Sequence, residues 1–360
     1  MAHPHRHLFV DISSHGFGHL AQTAPVLNRL AALRPDLHLT VRSGLPEARL
    51  RQRIAAPFAH IAAASDFGYV MLDALSIDRP ATAAAYRAAS ADFSRNVERD
   101  AQLLQELRAD AVLANVSYLP LAGAARAGIP AVAMCSLNWA DLFQHFYGHE
   151  DWAGPIHAEM IKAYRSATFL RTTPGMPMPA LDNVTTVGHI ASLGRERRAE
   201  LRQKVGAADT ARIVVVALGG IPTQLPVEHW PVTADTHWLV PAAWSVQRPD
   251  MSAFEPLGWP FADLLRSVDA VVTKPGYGTF ADAACNGTAV LYQRREDWPE
   301  QDCLIEWLHA NARAGEVSVH ALHSGKLGAA LDAVCAATVP PVPIFSGAEQ
   351  AARHLAGLLT

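Results

Sequence analysis

Short apolar, β-branched runs alternate along this chain with longer stretches whose apolar positions recur at helical spacing. Runs over 7–13, 37–43, 111–117 and 131–136 carry the strand signal, and stretches over 19–33, 46–54, 82–108 and 119–127 carry the helical one. Ala24, Leu27, Leu30, Ala31 and Leu33 supply the apolar face of the first helix. Gly128 ends the fourth, and Pro130 follows it. After a softer, proline-rich stretch over 172–179 the pattern restarts. Strands are predicted over 184–190, 213–218, 236–240, 270–274 and 289–293, and helices over 193–205, 260–267, 279–286, 301–312, 326–337 and 348–359. Such alternation predicts parallel sheets covered by helices on both faces. The expected fold class is therefore α/β, with two Rossmann-like, doubly wound domains facing across a cleft. The expected division is 1–190 for the first domain, 191–345 for the second, and a terminal helix over 346–360 in position to pack back on the first. The boundary itself is placed between 188 and 211. In such folds ligands collect at the C-terminal ends of strands, so loops of both halves should build one site.

Composition narrows the possibilities. The 360 residues suit two domains of roughly 150–200 residues each, and an apolar half gives each a core. Lys and Arg number 30 against 34 Asp and Glu, and no long basic block occurs, which argues against a nucleic-acid surface. Cys135, Cys285, Cys303 and Cys335 form no CxxC pair and read as reduced thiols. The first residues lack a signal-peptide pattern, and no apolar run reaches the ~18 residues of a membrane span, so a cytoplasmic protein is expected. His3, His5 and His7 alternate as metal ligands can, but a frayed terminus is the plainer reading.

Three segments carry chemistry. The first, Ser13-Ser14-His15-Gly16-Phe17-Gly18-His19, joins the first strand to the first helix. Gly16 and Gly18 let the backbone turn tightly, and the helix start favours negative charge. A neutral His19 or His15 there can take a proton from an acceptor hydroxyl; the plainer role for either is a cap or a piece of cleft wall. The segment is not GxGxxG, and GxxxxGK[ST] is absent from the chain. The second segment runs from Ser267 through Lys274-Pro275-Gly276-Tyr277-Gly278-Thr279 into a helix. Free amides and the helix dipole suit a diphosphate, with the Thr279 hydroxyl adding a hydrogen bond near the cap. The third, Arg294-Arg295-Glu296-Asp297-Trp298-Pro299-Glu300-Gln301, follows the next strand. Glu300 or Gln301 suits ribose hydroxyls and Arg294 or Arg295 suits phosphate, while Glu296 and Asp297 read as solvated charges. Asp66, Asn115, Asn138 and Trp139 lie where first-domain strands end or helices begin, and could meet an acceptor or simply cap and pack. Trp230, Trp238, Trp244 and Trp259 read as packing residues.

The second and third segments together resemble the donor region of GT-B glycosyltransferases. Their order is similar to that in bacterial glycosyltransferase-like proteins and in the amino-terminal region of plant arabinokinase. The first segment resembles the glycine-rich loop of the lipid II-forming peptidoglycan glycosyltransferase, with His19 at the histidine that closes it, although Phe17 and His15 depart from that pattern. The resemblance implies that Gly276, Tyr277, Gly278 and Thr279 bind a diphosphate, with Gly219 and Gly220 facing it. It implies ribose or sugar contacts for Glu300, Gln301 and Arg294. The expected function is transfer of a hexose-like sugar from a nucleotide-diphosphate (UDP-type) donor to a hydroxyl acceptor, inverting and needing no metal or cofactor. The rivals are a nucleotide-sugar epimerase or hydrolase, and a binding protein that has lost the chemistry. Donor base, sugar, acceptor and oligomeric state stay open.

Overall fold

The computed structural model describes residues 6–359. His3 and His5 lie outside the described residues. His7, expected in a frayed end, is instead buried in the first strand, where Nε2 meets Thr40 Oγ1 at 2.8 Å and Nδ1 meets the Leu107 carbonyl at 2.7 Å.

The first half contains β1 (Arg6–Ile12), α1 (Phe17–Leu33), β2 (Leu37–Arg42), α2 (Glu47–Arg53), β3 (Ala59–Ile61), α3 (Arg79–Ala91) and α4 (Phe93–Glu106). It continues with β4 (Ala111–Asn115), α5 (Leu119–Ala127), β5 (Ala131–Cys135), α6 (Trp139–Tyr147), α7 (Ala153–Arg165), β6 (Thr168–Thr172) and β7 (Val184–Val187). These strands form a seven-stranded sheet, all parallel, ordered β3-β2-β1-β4-β5-β6-β7. The second half begins with α8 (Arg198–Val205), β8 (Arg212–Val216), β9 (Thr236–Val240), β10 (Met251–Ala253), α9 (Phe261–Ser267), β11 (Ala270–Thr273) and α10 (Tyr277–Asn286). There follow β12 (Ala289–Tyr292), α11 (Gln301–Asn311), β13 (Ala314–Glu316), α12 (Val319–Ser324), α13 (Gly328–Ala336) and α14 (Gly347–Leu358). Its six-stranded parallel sheet is ordered β10-β9-β8-β11-β12-β13. Central strands such as β4 and β11 are buried at every position, because helices cover both faces.

Several elements depart from the sequence expectation for physical reasons. The long helix over 82–108 is two helices. Asp78 caps α3 by accepting from Ala81 N at 2.9 Å, and the backbone breaks at Asp92 (φ −102°, ψ 0°) before α4. The helix over 193–205 begins only at Arg198. The preceding amides are taken by side chains of the second half: Ser192 N by Asp282, Gly194 N by Asn286, Arg195 N by Asp263 and Arg197 N by Ser267. An amide bonded sideways cannot enter a helical ladder. The helices α6 and α7 and the strand β6 were not foreseen at all.

One apolar core runs through both halves, joining Leu20, Leu27 and Leu30 of α1 to Tyr277 and Phe280 of α10 and Ala351 and Leu355 of α14. The terminal helix α14 lies along α1, where Arg29 pairs with Glu349 and Arg34 donates to the Leu359 carbonyl at 2.7 Å. Among the described residues no helix is long and apolar enough to cross a membrane.

Candidate functional site

In each sheet the strand order reverses beside the opening strand, and the chain leaves a crevice there. In the first sheet β1 lies between β2 and β4, so the loop after β1 meets the end of β4. Ser13 N bonds to the Asn115 carbonyl at 2.7 Å, which fixes that meeting. His19 sits in the first turn of α1, buried, with Nδ1 2.8 Å from Asn115 Oδ1. Nδ1–H donates to the amide oxygen, leaving the Nε2 lone pair without a hydrogen-bond partner among the described residues. Burial lowers the His19 pKa from its ordinary 6.5, against the Asn115 hydrogen bond and the Glu300 charge, which raise it. The ring is therefore neutral at pH 7, with its basic nitrogen on the side away from Asn115.

His15 has a different place. Its ring stacks on Trp298 (centroids 5.9 Å apart, planes 5° from parallel) and stands edge-on to Trp139 at 5.3 Å. Burial pushes its pKa well down, and the charges of Arg295 and Lys274 add to that. The ring thus lines the junction with the Trp298 loop, and its Nε2 is buried without a hydrogen-bond partner.

The other first-half candidates divide. Asn115 orients His19. Trp139 is 1% exposed, too buried to offer a face to a sugar, and its indole donates to Asp66 at 2.7 Å. Burial, with the nearby Asp11, pushes the Asp66 carboxyl up to about 6. Asn138 caps α6, accepting from Asp141 N at 2.8 Å. Gly16 has an extended backbone, and Gly18 lies against Gly278 of the second half. A cavity of about 60 Å³ beside Asp66 and Trp139 is also lined by Gly68, Tyr86 and Tyr118.

In the second sheet β8 and β11 are the paired strands, so the loops after them converge. Gly219 has φ +98°, a conformation that requires glycine. Gly220 packs under the Phe17 ring, where a Cβ would sit 3.0 Å from it. Gly276 begins α10, and no side-chain hydrogen bond caps that helix, so Thr279 is not its cap. Tyr277 and Gly278 have structural duties. The Tyr277 hydroxyl accepts from Ile190 N at 2.9 Å and donates to the Thr173 carbonyl at 3.1 Å. A Cβ on Gly278 would come within 2.8 Å of Ala21 Cβ, so glycine lets α10 touch α1. Tyr277 and Gly278 thus dock the helix against the first half.

The third segment is also largely occupied. Glu300, expected at ribose, accepts from Ser136 Oγ at 2.6 Å with one oxygen and from Trp298 Nε1 at 3.1 Å with the other. Gln301, expected at sugar, spends its amide on the Arg295 backbone, at 3.0 and 3.2 Å. Arg294 faces outward and pairs with Asp302 at 3.0 Å. The inward arginine is Arg295, 5% exposed, its guanidinium 3.6 Å from the Trp298 ring centre. Asp297, read as a solvated charge, is half-exposed and paired. It accepts from Arg79 at 2.6 Å and pairs with His145 at 2.7 Å, across the two halves. Sequence reasoning gave no role to Lys274, which follows β11 and lies between Gly219 and Gly276; its signal was a lone lysine where a buried strand meets a glycine turn. Trp230, Trp238 and Trp244 are core residues of the second half, as read from sequence.

No family model matches the chain. L-arabinokinase of Arabidopsis thaliana is 26% identical over 314 residues, covering 82% of this chain and 29% of that protein. The chain thus spans under a third of the relative's length. Among solved structures, a UDP-glucosyltransferase from Polygonum tinctorium superposes with a TM-score of 0.61 at 13% identity, covering 100% of this chain and 99% of that one. The calicheamicin glycosyltransferase CalG4 gives 0.59 at 15% identity, over 99% and 95% of the two chains. The glycosyltransferase SnogD from Streptomyces nogalater gives 0.57 at 18%, over 99% and 100%. With its paired parallel sheets and facing crevices, the chain has the two-domain GT-B fold of these glycosyltransferases.

Proposed function

We propose that the protein is a glycosyltransferase that moves a sugar from a nucleotide-diphosphate donor to a hydroxyl acceptor. The observation that carries this reading is His19: a neutral imidazole, held at Nδ1 by Asn115, whose free Nε2 stands where the two crevices face each other. The acceptor oxygen attacks the anomeric carbon as its proton passes to Nε2. The bond from that carbon to the diphosphate oxygen breaks, and the electron pair leaves with the diphosphate. The uncapped amides at the start of α10 favour the charge that grows there. One displacement inverts the anomeric centre, and the scheme uses no metal or cofactor.

The test is turnover of a panel of nucleotide sugars with sugar, phenol and alcohol acceptors, followed by product mass and anomeric NMR. His19→Ala should lower kcat by about 10²–10⁴-fold. Retained configuration in the product would remove His19 as the base of a single displacement. One observation favours a second reading, a nucleotide-sugar-binding protein without turnover. The group behind His19 is a neutral amide rather than a carboxylate, so a positive imidazolium gains little from it. That reading predicts donor binding with no product, unchanged in His19→Ala.

A further inference from the structure

Positive charge at the junction of the two halves exceeds what the protein itself neutralises. Lys274 leaves the end of β11 and lies between two glycine turns. Its Nζ would be 3.4 Å from a Cβ on Gly276, and 3.8 Å from one on Gly219. Among the described residues no carboxylate lies within ion-pairing distance of Lys274 or of Arg295. The Arg295 guanidinium rests on Trp298 and reaches Met71 Sδ at 3.9 Å, and its Nε is buried without a partner. Two acids lie nearby: Glu300 already accepts from Ser136 and Trp298, and Asp73, whose charge reaches Arg295, accepts from the Leu75 and Ser76 amides. The other titratable groups facing this pair are His15 and His19 of the first half, both held neutral by burial. Burial and the Arg295 charge also bring the Lys274 ammonium down to about 7, and burial brings Arg295 down to about 10. Arg295 is buried and Lys274 partly so, and a cation drawn out of water is retained in proteins when something pairs with it.

We propose that Lys274 and Arg295 are an anion-binding pair that grips a diphosphate in the cleft, Lys274 from the glycine turns at Gly219 and Gly276 and Arg295 from the Trp298 loop. This deepens the transfer reading above and rests on it for the identity of the diphosphate as the donor's. An anion between the two cations satisfies Arg295 Nε and draws a proton onto Lys274. Lys274 is then the device that couples donor binding to proton uptake above neutral pH.

Calorimetry with inorganic pyrophosphate, UDP and uridine on wild type, Lys274→Met and Lys274→Arg tests this. Lys274→Met should weaken pyrophosphate and UDP about 10- to 100-fold and leave uridine unchanged. Lys274→Arg should keep most of the affinity, while wild type takes up more protons on binding at pH 8 than this variant does. Without ligand, Lys274→Met should melt higher than wild type at pH 6, since it removes an unpaired cation; a purely structural lysine would melt lower on removal. Undiminished pyrophosphate binding in Lys274→Met, no binding to wild type, or equal proton uptake in wild type and Lys274→Arg would overturn the inference. Pyrophosphate held through Lys274 without turnover of any nucleotide sugar keeps the inference and removes the transfer reading. Turnover by Lys274→Met at an unchanged donor KM does the reverse.

Discussion

His19 owes its place to one amide. The Asn115 side chain accepts from Nδ1 at 2.8 Å and so selects the tautomer whose Nε2 is basic. Because burial lowers the His19 pKa below 6.5, the ring stays neutral through pH 7, and the His19 limb of kcat/KM should lie on the acid side, below 6.5. Replacing Asn115 by Asp puts a carboxylate against Nδ1, which favours the charged ring and raises the pKa. The acid limb of the pH–rate profile should then move upward in Asn115→Asp, and an unmoved limb would show that His19 is not the group titrating. The same buried imidazole bears on stability. The unfolded chain protonates near 6.5 while the folded one resists. Its contribution is therefore complete above 6.5 and lost as pH falls through the lower folded value.

Helix α10 shows how one element can serve two ends. Its start at Gly276 lies beside Lys274, while Tyr277, Asp282 and Asn286 bind the connecting segment around Ile190, Ser192 and Gly194. Tyr277→Phe removes the acceptor of Ile190 N and the donor to the Thr173 carbonyl, both in buried surroundings. It should cost about 1–3 kcal/mol in urea denaturation. Gly278→Ala places a methyl 2.8 Å from Ala21 Cβ, so α10 must lift away from α1. A loss of about 1–3 kcal/mol is expected, together with weaker pyrophosphate binding, because the helix start moves with it. A neutral Gly278→Ala in both measurements would place the glycine outside the packing role assigned to it.

Across the whole molecule, the segment from Arg295 to Glu300 acts as a bolt between the halves. Trp298 of the second half, 3% exposed, stands among Tyr69, Trp139 and His15 of the first. Glu300 holds Ser136, and Asp297 holds Arg79 and His145. The Asp297 contacts are half-exposed, so each is worth at most about 1 kcal/mol. Asp297→Ala should leave the melting temperature nearly unchanged yet speed hydrogen exchange in the segment and in α6. Trp298→Ala empties a buried site and should cost about 3–5 kcal/mol.

Periodicity of apolar residues is a local property. Burial of a sheet between helix layers writes it into the chain, so the alternation of strands and helices and the paired α/β sheets were legible. So were the glycine turns at Gly219 and Gly276, and the placing of His19 at the start of the helix after β1. Residues of α6 and α7 escaped because Asn138, Trp139 and their neighbours look like site residues until the helix they cap and fill is seen. Which polar groups stay free for a ligand is not local. Glu300, Gln301 and Tyr277 looked available in sequence, but each found a protein partner far along the chain or in its own loop. A buried polar atom must be satisfied by whatever the fold brings within about 3 Å, and only tertiary structure decides what that is. The same rule, applied to the Arg295 Nε that the fold left unsatisfied, separates Arg295 from Arg294, which the sequence offered equally for phosphate.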